Sequence, residues 1–563
     1  MKVIIVGGVA GGATAAARIR RLDEHAEITV FERSGYISYA NCGLPYYIGD
    51  VITDPEELTL QTPESFFKRF RINMKIHHEV ISIHPERKTV SVKNLENGEI
   101  FEENYDKLIL SPGAKPTQPR LPGVGMDKLF TLRTVEDTFR IKEYINKNHP
   151  KSAVLAGGGF IGLELAENLR ELGMDVTIVQ RPKQLMNPFD PDMASMIHNE
   201  MRKHGIKLVL GYTVEGFKEK DNGVEVLLKD NPSLQADMVV LAIGVTPDTA
   251  LAKEAGLELG IKGSIVVNDR METSVPDIYA AGDAVQVKHY VTGDDALISL
   301  AGPANKQGRI IADNICGGDS RYLGSQGSSV IKVFDMTAAT TGINETNAKK
   351  SGLEVDTVIL SPMSHAGYYP GGKVMTMKVV FEKETYRLLG AQIIGYEGVD
   401  KRIDVLATAI HAGLNATQLK DLDLAYAPPY SSAKDPVNMA GFMIDNIAKG
   451  TLKQWHLEDM DKISKDKDVV LLDVRTVGEF SRGHIDGFKN IPVDELRERI
   501  SEIEKGKPVY LICQSGLRSY IASRILEGNG YETYNFSGGF RFYDAVVNDR
   551  ALIERAYACG MDY

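Results

Sequence analysis

The sequence predicts an α/β fold in which two dinucleotide-binding units are interleaved, followed by an α+β domain and a separate C-terminal α/β domain. Two copies of a strand, glycine-rich turn and helix, beginning near Lys2 and Ala153, predict the two units. A new pattern of strands and loops from Val469, after a charged stretch, predicts the C-terminal domain. The length of 563 residues agrees with three or four domains.

Composition and charge exclude several classes of protein. The net charge of −11 argues against a nucleic-acid-binding protein, which usually shows a basic face. No run of about 18 apolar residues is present, so no membrane-spanning helix is expected. The glycines from Gly7 to Gly12 would break an export helix, and the four cysteines form no C-x-x-C pair. We therefore expect a cytoplasmic protein with no metal site, no nucleic-acid partner and no membrane contact.

The first dinucleotide-binding unit begins with KVIIVG at residues 2–7, which reads as a buried parallel strand. An alanine-rich helix follows to about Leu22, and a second strand, Glu27 to Phe31, ends at the acid Glu32. Glycines let the backbone approach a pyrophosphate at the helix N-terminus, and Glu32 can accept hydrogen bonds from ribose hydroxyls. Val9 replaces the middle glycine of the usual pattern. The predicted binding residues are Gly7, Gly8, Ala10, Gly11, Gly12, Glu32 and Arg33.

The second unit contains a full G-x-G-x-x-G match at residues 157–162. Its next strand, Val176 to Val179, ends in Gln180 and Arg181 and not in an acid. A carboxylate there would repel the 2′-phosphate of NADPH, so this pair favours NADPH and leaves NADH open, unless Arg181 only points into water. The predicted binding residues are Gly157, Gly159, Phe160, Ile161, Gly162, Gln180 and Arg181.

The first unit resumes at residues 274–284, SVPDIYAAGDA, where a strand ends at Gly282 and Asp283. Together with the two glycine patterns, this segment resembles the flavoprotein disulfide reductase family over about residues 1–445. The resemblance implies FAD at the first unit, NADPH or NADH at the second, and a bond from Asp283 to the ribityl chain of FAD. The other cofactor-binding residues that we predict are Val80, Ser111, Gly113, Gly244, Gly282 and Ala301.

Cys42 lies in YISYANCGLPYYIG, residues 36–49, at a predicted strand-to-helix junction. The positive end of the helix is expected to ease ionisation of its thiol. A solitary cysteine in this segment resembles the single-cysteine branch of the family, which comprises coenzyme A disulfide reductases, persulfide reductases, and NADH oxidases and peroxidases. The oxidases and peroxidases carry a histidine in the first glycine loop, where this chain has Ala10. Peroxide chemistry is therefore disfavoured.

Two tyrosine motifs, YYPG at residues 368–371 and YAPPY at 426–430, resemble those of the coenzyme A disulfide reductases. The resemblance implies that Tyr368 and Tyr426 reach Cys42 of the partner subunit and protonate a departing thiolate. Residues 325–445 would then form the dimerisation domain of a homodimer. Basic side chains and other polar groups expected to contact coenzyme A are Arg18, Arg21, Lys68, Arg69, Arg71, Thr14, Ser38, Asn41, Asn305 and Lys434. The basic cluster of Arg18, Arg20 and Arg21 could instead be a solvated helix face.

In the C-terminal domain, a strand over residues 508–512 leads into the loop CQSGLRS, residues 513–519. This pattern resembles a rhodanese domain covering about residues 455–547. Backbone N–H groups of such a loop would stabilise a thiolate or persulfide on Cys513, and Arg518 would close the loop. Tyrosine phosphatases share a related loop but need a different length and an aspartic acid. Cys316 and Cys559 receive no role.

The predicted domains are an FAD-binding domain (1–112 and 245–324), an NAD(P)H-binding domain (113–244), a dimerisation domain (325–446), a linker (447–456), a rhodanese domain (457–547) and a tail (548–563). We expect a homodimeric reductase of coenzyme A disulfide, coenzyme A persulfide or polysulfide that acts through Cys42, with sulfane sulfur carried by Cys513. The alternatives are a peroxidase or oxidase that uses Cys42 sulfenic acid, and a redox-sensing flavoprotein regulator. The natural sulfur substrate, and whether Cys513 reaches Cys42, stay open.

Overall fold

The computed structural model describes residues 1–220 and 223–558, which form two compact units. Unit 1 comprises Met1–Pro182 and Ile206–Gly327, and unit 2 comprises Lys183–Gly205 and the chain from Ser328 onward. Both units mix helices and sheets, which confirms the predicted α/β class. None of the described helices is long and apolar enough to cross a bilayer. Cys559 lies outside the described residues.

The α-helices divide between the two units. Those of unit 1 are α1 (Ala10–Leu22), α2 (Leu44–Ile48), α3 (Pro63–Phe70), α4 (Val135–Asn148), α5 (Phe160–Glu171), α7 (Ala250–Glu254) and α8 (Ala301–Ile315). Those of unit 2 are α6 (Pro191–Lys203), α9 (Glu345–Lys350), α10 (Val399–His411), α11 (Pro436–Ala448), α12 (Met460–Ile463), α13 (Val477–Arg482), α14 (Leu517–Glu527) and α15 (Gly539–Ala558).

A five-stranded parallel sheet forms the core of the first dinucleotide-binding region. Its order is β20 (Ile278–Ala280), β9 (Lys107–Leu110), β1 (Lys2–Val6), β2 (Glu27–Phe31) and β5 (Asn73–Lys75). Strands β20, β9, β1 and β2 are largely apolar and buried, in one core with residues of α1 and α8 and with Val80 and Val92 of a neighbouring antiparallel sheet. Smaller antiparallel sheets in this region pair β3 (Ile37–Tyr39) with β4 (Thr59–Gln61), β6 (His78–His84) with β7 (Thr89–Asn94) and β8 (Ile100–Asn104), and β21 (Val287–Lys288) with β22 (Asp295–Ala296).

The second dinucleotide-binding region repeats the design. Its parallel sheet has the order β11 (Leu129–Thr131), β18 (Met238–Leu241), β12 (Ser152–Ala156), β13 (Asp175–Gln180) and β14 (Lys207–Leu210). A three-stranded antiparallel sheet joins β15 (Val214–Lys220), β16 (Gly223–Leu228) and β17 (Asn231–Ala236). The chain passes from the first region to the second and back again at the antiparallel pair β10 (Ala114–Pro116) and β19 (Val245–Pro247). Interleaving of the two regions, as predicted, follows from this crossover.

Unit 2 is built on two sheets. The first is antiparallel, in the order β23 (Ser329–Val333), β24 (Met336–Gly342), β27 (Leu388–Gly395), β26 (Met375–Glu382) and β25 (Val355–Leu360). The second is parallel, in the order β28 (Gln454–Trp455), β32 (Thr533–Phe536), β31 (Val509–Ile512), β29 (Val470–Asp473) and β30 (Lys489–Asn490). Apolar clusters lie on both faces of this parallel sheet, one around Cys513 and one around Trp455. Strand β28 lies inside the predicted linker, and α15 continues past residue 547.

Candidate active site

The first glycine turn joins β1 to α1 with very little space. A Cβ atom at Gly12 would lie 1.9 Å from the carbonyl oxygen of Gly7, which itself has φ +97°. Glu32, at the end of β2, accepts from the Gly8 N–H and the Ser34 N–H, both at 2.9 Å. Each carboxylate oxygen can accept a second hydrogen bond, so Glu32 can still receive ribose hydroxyls. Gly8, Ala10 and Gly11 share this turn and the first turn of α1.

A cavity of about 270 Å³ opens beside this turn. It brings together Gly7, Glu32, Arg33 and Val80 from the predicted set, with Asp248 beside them. Arg33 is fixed by a 2.8 Å hydrogen bond to Asp248. Other lining residues that the sequence did not indicate are His78, Leu251 and Glu254.

The predicted flavin residue Asp283 belongs to a polar cluster centred on Arg133. Arg133 Nη2 donates to Asp283 Oδ2 at 2.7 Å, and its Nε donates to the Ala114 carbonyl at 3.1 Å. With its amide oriented to satisfy both contacts, Asn41 accepts from Arg133 Nη1 and donates to the Arg133 carbonyl, each at 3.1 Å. Asn41, predicted as a substrate contact, is therefore held by the protein's own arginine. Two other predicted residues, Ser111 and Gly282, lie against each other, and Gly113 lies beside Arg133. Ala301 is the first residue of α8.

Cys42 is exposed and lies in a single turn of 3-10 helix, Asn41–Gly43, directly before α2. Partial burial of the sulfur raises the pKa of its thiol, the Glu164 carboxylate raises it further, and Arg133 opposes them. The expectation that the helix would ease ionisation is therefore wrong. The helix α2 that follows has five residues, and burial, Glu164 and Asp283 together outweigh Arg133 in setting the direction of the shift. Burial and the neighbouring Glu167 also raise the pKa of Glu164 to about 7.

The second glycine turn, between β12 and α5, copies the first. Gly157 has φ +120°, and the Gly158 N–H donates to Gln180 Oε1 at 3.0 Å, as the Gly8 N–H donates to Glu32. Gly159 faces open space, and Phe160, Ile161 and Gly162 begin α5. Arg181 is exposed, and no described group is hydrogen-bonded to its guanidinium. Gly244 has φ +112° and its carbonyl accepts from the Thr117 N–H at 2.9 Å.

Of the predicted substrate contacts in unit 1, two are hydrogen-bonded to each other. Thr14 on α1 donates to Asn305 on α8 at 2.5 Å. Arg18 is bound to Asp313 at 2.7 Å, which reduces its availability to an anion. Ser38 has φ +45°, and its N–H donates to the Gly8 carbonyl. The other basic residues that we predicted, Arg21, Lys68, Arg69 and Arg71, are exposed.

Arg20, the middle residue of the basic cluster on α1, is neither an anion ligand nor a solvated side chain. It is buried, and its guanidinium donates to five backbone carbonyls, those of Phe70, Asp23, Glu24, Ala26 and Arg71. A buried guanidinium is tolerated when its donors are satisfied in this way. Arg20 therefore ties α1 to the end of α3, and neither interpretation of the cluster holds for it.

In unit 2, the predicted tyrosines lie together. The hydroxyl oxygens of Tyr368 and Tyr426 are 2.7 Å apart, although 58 residues separate them in sequence. Both are exposed, Tyr368 by 76%, and the hydrogen bond to Tyr368 raises the pKa of Tyr426. The pair thus presents a neutral phenolic proton at pH 7 to an incoming group. Lys434 is exposed, close in sequence to this motif.

Cys513 follows β31 and is 1% exposed. Its sulfur accepts from the Gly516 N–H at 3.1 Å and from the Ser519 hydroxyl at 3.2 Å. Arg518 donates two hydrogen bonds to Glu479, at 2.7 and 2.8 Å, and these lower the pKa of Glu479 to about 2. The loop therefore offers one backbone N–H and one hydroxyl to the sulfur, and Arg518 is anchored on α13.

Four residues of these sites were not predicted from the sequence: Arg133, Glu164, Glu479 and Ser519. Ser519 was part of the quoted loop, but nothing indicated that its hydroxyl reaches the sulfur. Glu479 lies at N3 of a capping box, which predicts a helix start and not a partner for Arg518. Arg133 and Glu164 are brought to their sites by tertiary packing, and no local motif identifies them.

Comparison with known proteins assigns the family. The model of the pyridine nucleotide-disulphide oxidoreductases matches residues 1–308. The chain belongs to this family. The dimerisation domain of the same family matches residues 328–436, and a rhodanese-like domain matches residues 456–545. The sequence-based assignment to flavoprotein disulfide reductases with a C-terminal rhodanese domain is confirmed, and members of the family use FAD and a pyridine nucleotide.

Three relatives are similar over most of their length. Coenzyme A disulfide reductase of Staphylococcus aureus is 39% identical over 443 residues, which cover 78% of this chain and 99% of the relative. The reduced CoADR-RHD of Bacillus anthracis is 49% identical with a TM-score of 0.95, covering 98% of both chains. An NAD-dependent persulfide reductase from A. fulgidus is 39% identical with a TM-score of 0.90, covering 96% of this chain and 100% of that one.

Proposed function

We propose that this chain forms a homodimeric, FAD-dependent reductase that uses NADPH or NADH to reduce coenzyme A disulfide, coenzyme A persulfide or polysulfide. The observation that carries the proposal is that one chain holds two solitary thiols in different settings. Cys42 is exposed beside the Arg133 and Asp283 cluster, whereas Cys513 is buried and hydrogen-bonded. The match to the dimerisation domain supports the homodimer, and the named activities of the relatives support the substrate class.

The residues present fit FAD at the first glycine turn. The close approach of Gly12 to Gly7 leaves no room for a side chain, and Glu32, Arg33 and Val80 line the adjacent cavity. FAD would be held by this turn and by Asp283. When bound, FAD would transfer two electrons from a nicotinamide to a sulfur.

Cys42 supplies the nucleophile. Its thiolate attacks one sulfur of a disulfide, forming a mixed disulfide and releasing one coenzyme A thiolate. With a persulfide, it attacks the outer sulfur, so that Cys42 becomes the persulfide and coenzyme A leaves as a thiolate. Two electrons from NAD(P)H then restore the Cys42 thiolate and release the second thiolate or hydrosulfide. Tyr368 and Tyr426 of the partner subunit would donate a proton to the leaving thiolate.

Cys513 carries sulfur without net oxidation or reduction. Its thiolate takes the outer sulfur from a persulfide donor and releases the donor as a thiolate. The coenzyme A thiolate then attacks this outer sulfur, which regenerates the Cys513 thiolate and yields coenzyme A persulfide. The Gly516 N–H and Ser519 hydroxyl stabilise negative charge on the Cys513 sulfur. Fusion in one chain raises the effective concentration of this persulfide at the reductase, which favours persulfide as substrate.

The test is anaerobic NAD(P)H oxidation by one preparation, offered coenzyme A persulfide, coenzyme A disulfide or hydrogen peroxide separately. We expect a sulfur substrate to exceed peroxide by more than tenfold in kcat/KM, equivalent to about 1.4 kcal/mol. A preference for peroxide would favour the sulfenic acid alternative. Turnover far below about one per second on every sulfur substrate would favour the regulator, since enzymes usually exceed that rate.

Tyr426→Phe should lower kcat for coenzyme A disulfide by about 100-fold, because general acid catalysis of this kind typically contributes 10² to 10⁴. The measurement is steady-state kcat together with KM, and KM should change little. Tyr430→Phe is the matched control, since Tyr430 belongs to the same motif and is 72% exposed. Equal activity of Tyr426→Phe and the wild type would remove the tyrosine pair from the reaction.

Gln180→Glu should raise the ratio of kcat/KM with NADH to that with NADPH by about tenfold or more. The new carboxylate can keep the bond from the Gly158 N–H and accept from the 2′-hydroxyl, but it repels a 2′-phosphate. Arg181→Leu should lower kcat/KM for NADPH more than for NADH. An unchanged ratio in both variants would mean that neither side chain contacts the 2′ position.

A further inference from the structure

The helix α6 belongs to unit 2, although the sequence places it within the second dinucleotide-binding region. The segment Lys183–Gly205 leaves unit 1 after Pro182 and returns to it at Ile206. At its start, Asp190 accepts from Gln392 Nε2 at 2.6 Å and lies 3.2 Å from the buried ammonium of Lys378. This end of α6 is thereby bound to the antiparallel sheet of unit 2.

The other side of α6 contacts the last helix, α15, through the buried carboxylate of Asp549. His198 Nδ1 lies 2.8 Å from Asp549 Oδ2, and Arg202 Nη1 donates to Asp549 Oδ1 at 2.5 Å. The Leu185 N–H donates to His198 Nε2, so the ring proton is on Nδ1 and is donated to Asp549. Asn199 adds a bond to the Ala545 carbonyl at 3.1 Å. Burial opposes ionisation of Asp549, but His198 and Arg202 lower its pKa.

The beginning of α15 holds the Cys513 loop. The Phe540 N–H donates to the Cys513 carbonyl at 2.8 Å, and the Arg541 N–H donates to the Gln514 carbonyl at 3.2 Å. Phe540 and Asp549 are nine positions apart on one helix, or about 13 Å along its axis at the usual rise per residue. One rigid helix therefore connects the peptide of Cys513 to α6.

Two further hydrogen bonds join the C-terminal part of unit 2 to the edge strand β25. The Ile359 N–H donates to Ser537 Oγ at 3.0 Å, and Gln454 Nε2 donates to the Thr357 carbonyl at 2.8 Å. Edge strands present unpaired backbone groups, and Ser537 and Gln454 satisfy two of them on β25. Ser537 lies two residues before Gly539, where α15 begins, so this contact lies at the end of α15 that holds the Cys513 loop.

We propose that Asp549 is a positioning residue, which docks the rhodanese-like domain on α6 through α15 and thereby holds Cys513 in one place for sulfur transfer to an acceptor at the reductase. The transfer role rests on the proposed function, whereas the docking role does not. The carboxylate is a suitable anchor because it is buried and receives two side-chain donors from one helix. Loss of its charge would leave Arg202 without this partner and release α15 from α6.

The docking role is tested by amide hydrogen exchange of the full-length holoenzyme. In Asp549→Asn, exchange of the Ile359 N–H should accelerate by about tenfold or more, while the Phe540 N–H keeps its protection. General unfolding would accelerate both amides, so the pair of sites separates undocking from misfolding. Asp544→Asn, an exposed change on the same helix, should affect neither. Arg202→Met should resemble Asp549→Asn, and the double variant should be no faster than either. Unchanged exchange at Ile359 would overturn the docking role.

The transfer role is tested on the same variants with thiosulfate as sulfur donor. Two activities should stay within about twofold of the wild type. They are sulfur transfer from thiosulfate to cyanide, which needs only Cys513 among the two thiols, and reduction of coenzyme A disulfide. NAD(P)H oxidation driven by thiosulfate with coenzyme A should fall about tenfold or more in kcat. A merely structural role would lower all three rates together. An unchanged thiosulfate-driven rate would overturn the transfer role. If the wild type itself shows no thiosulfate-driven NAD(P)H oxidation, both the transfer role and the proposed sulfur supply from Cys513 are overturned. Amide exchange at Ile359 would still decide the docking role.

Discussion

Cys42→Ser is expected to lower NAD(P)H-driven reduction of every sulfur substrate by about 1,000-fold or more, because the hydroxyl cannot replace the thiolate as nucleophile. Binding of FAD should persist, since Cys42 is exposed and none of the described contacts of the first glycine turn depends on its sulfur. The measurement is anaerobic NAD(P)H oxidation with coenzyme A disulfide and coenzyme A persulfide, normalised to bound flavin.

Cys316→Ser is the matched control for this variant. Cys316 is another free cysteine of unit 1, at the C-terminal end of α8, and burial raises the pKa of its thiol. It should retain full activity on both sulfur substrates. Substantial reduction of coenzyme A disulfide by Cys42→Ser would show that the electrons reach sulfur by another route and would remove Cys42 from the mechanism.

Cys513→Ser is expected to abolish sulfur transfer from thiosulfate to cyanide, with a loss of about 1,000-fold or more, because the sulfur carrier is gone. Reduction of coenzyme A disulfide should remain within about twofold of the wild type. The fold around the loop should be kept, because serine is only slightly smaller than cysteine and the Ser519 hydroxyl remains hydrogen-bonded to the Gly516 carbonyl. Both activities are measured on the same flavin-loaded preparation.

Ser515→Ala provides the control within the same loop, because no described group is hydrogen-bonded to its hydroxyl. It should keep both activities. Equal loss of disulfide reduction and sulfur transfer in Cys513→Ser would contradict the separation of the two thiols and would indicate one shared catalytic route.

The two nucleotide-binding turns could be predicted because their signals are local. Parallel strands buried on both faces are short apolar runs, and the glycine turn after each strand is required by close backbone contact. The second strand was predicted at Glu27 to Phe31, and the structure has β2 at these residues. The loop from Cys513 to Ser519 was recognised for the same reason, because its residue types and spacing follow from one strand, one turn and one helix.

Charge at the sites was predicted less well. The thiol of Cys42 was expected to ionise easily, but partial burial and Glu164, from a helix far along the chain, raise its pKa. Arg20 was grouped with Arg18 and Arg21, yet it is buried against five carbonyls. Which face of a helix is buried, and which carboxylate meets a given cation, depends on packing between distant elements.

Contiguous residues were enough to identify the family, the order of the domains' characteristic motifs and the two thiols, because the backbone geometry of each motif is locally constrained. Packing between distant elements sets which charged groups pair: Arg133 with Asp283, Arg518 with Glu479, and Asp549 with α6. It also decided that Lys183–Gly205 folds with unit 2. Hydrogen bonds and ion pairs act over a few ångströms between residues tens to hundreds of positions apart, so their strength depends on distances that no sequence spacing specifies.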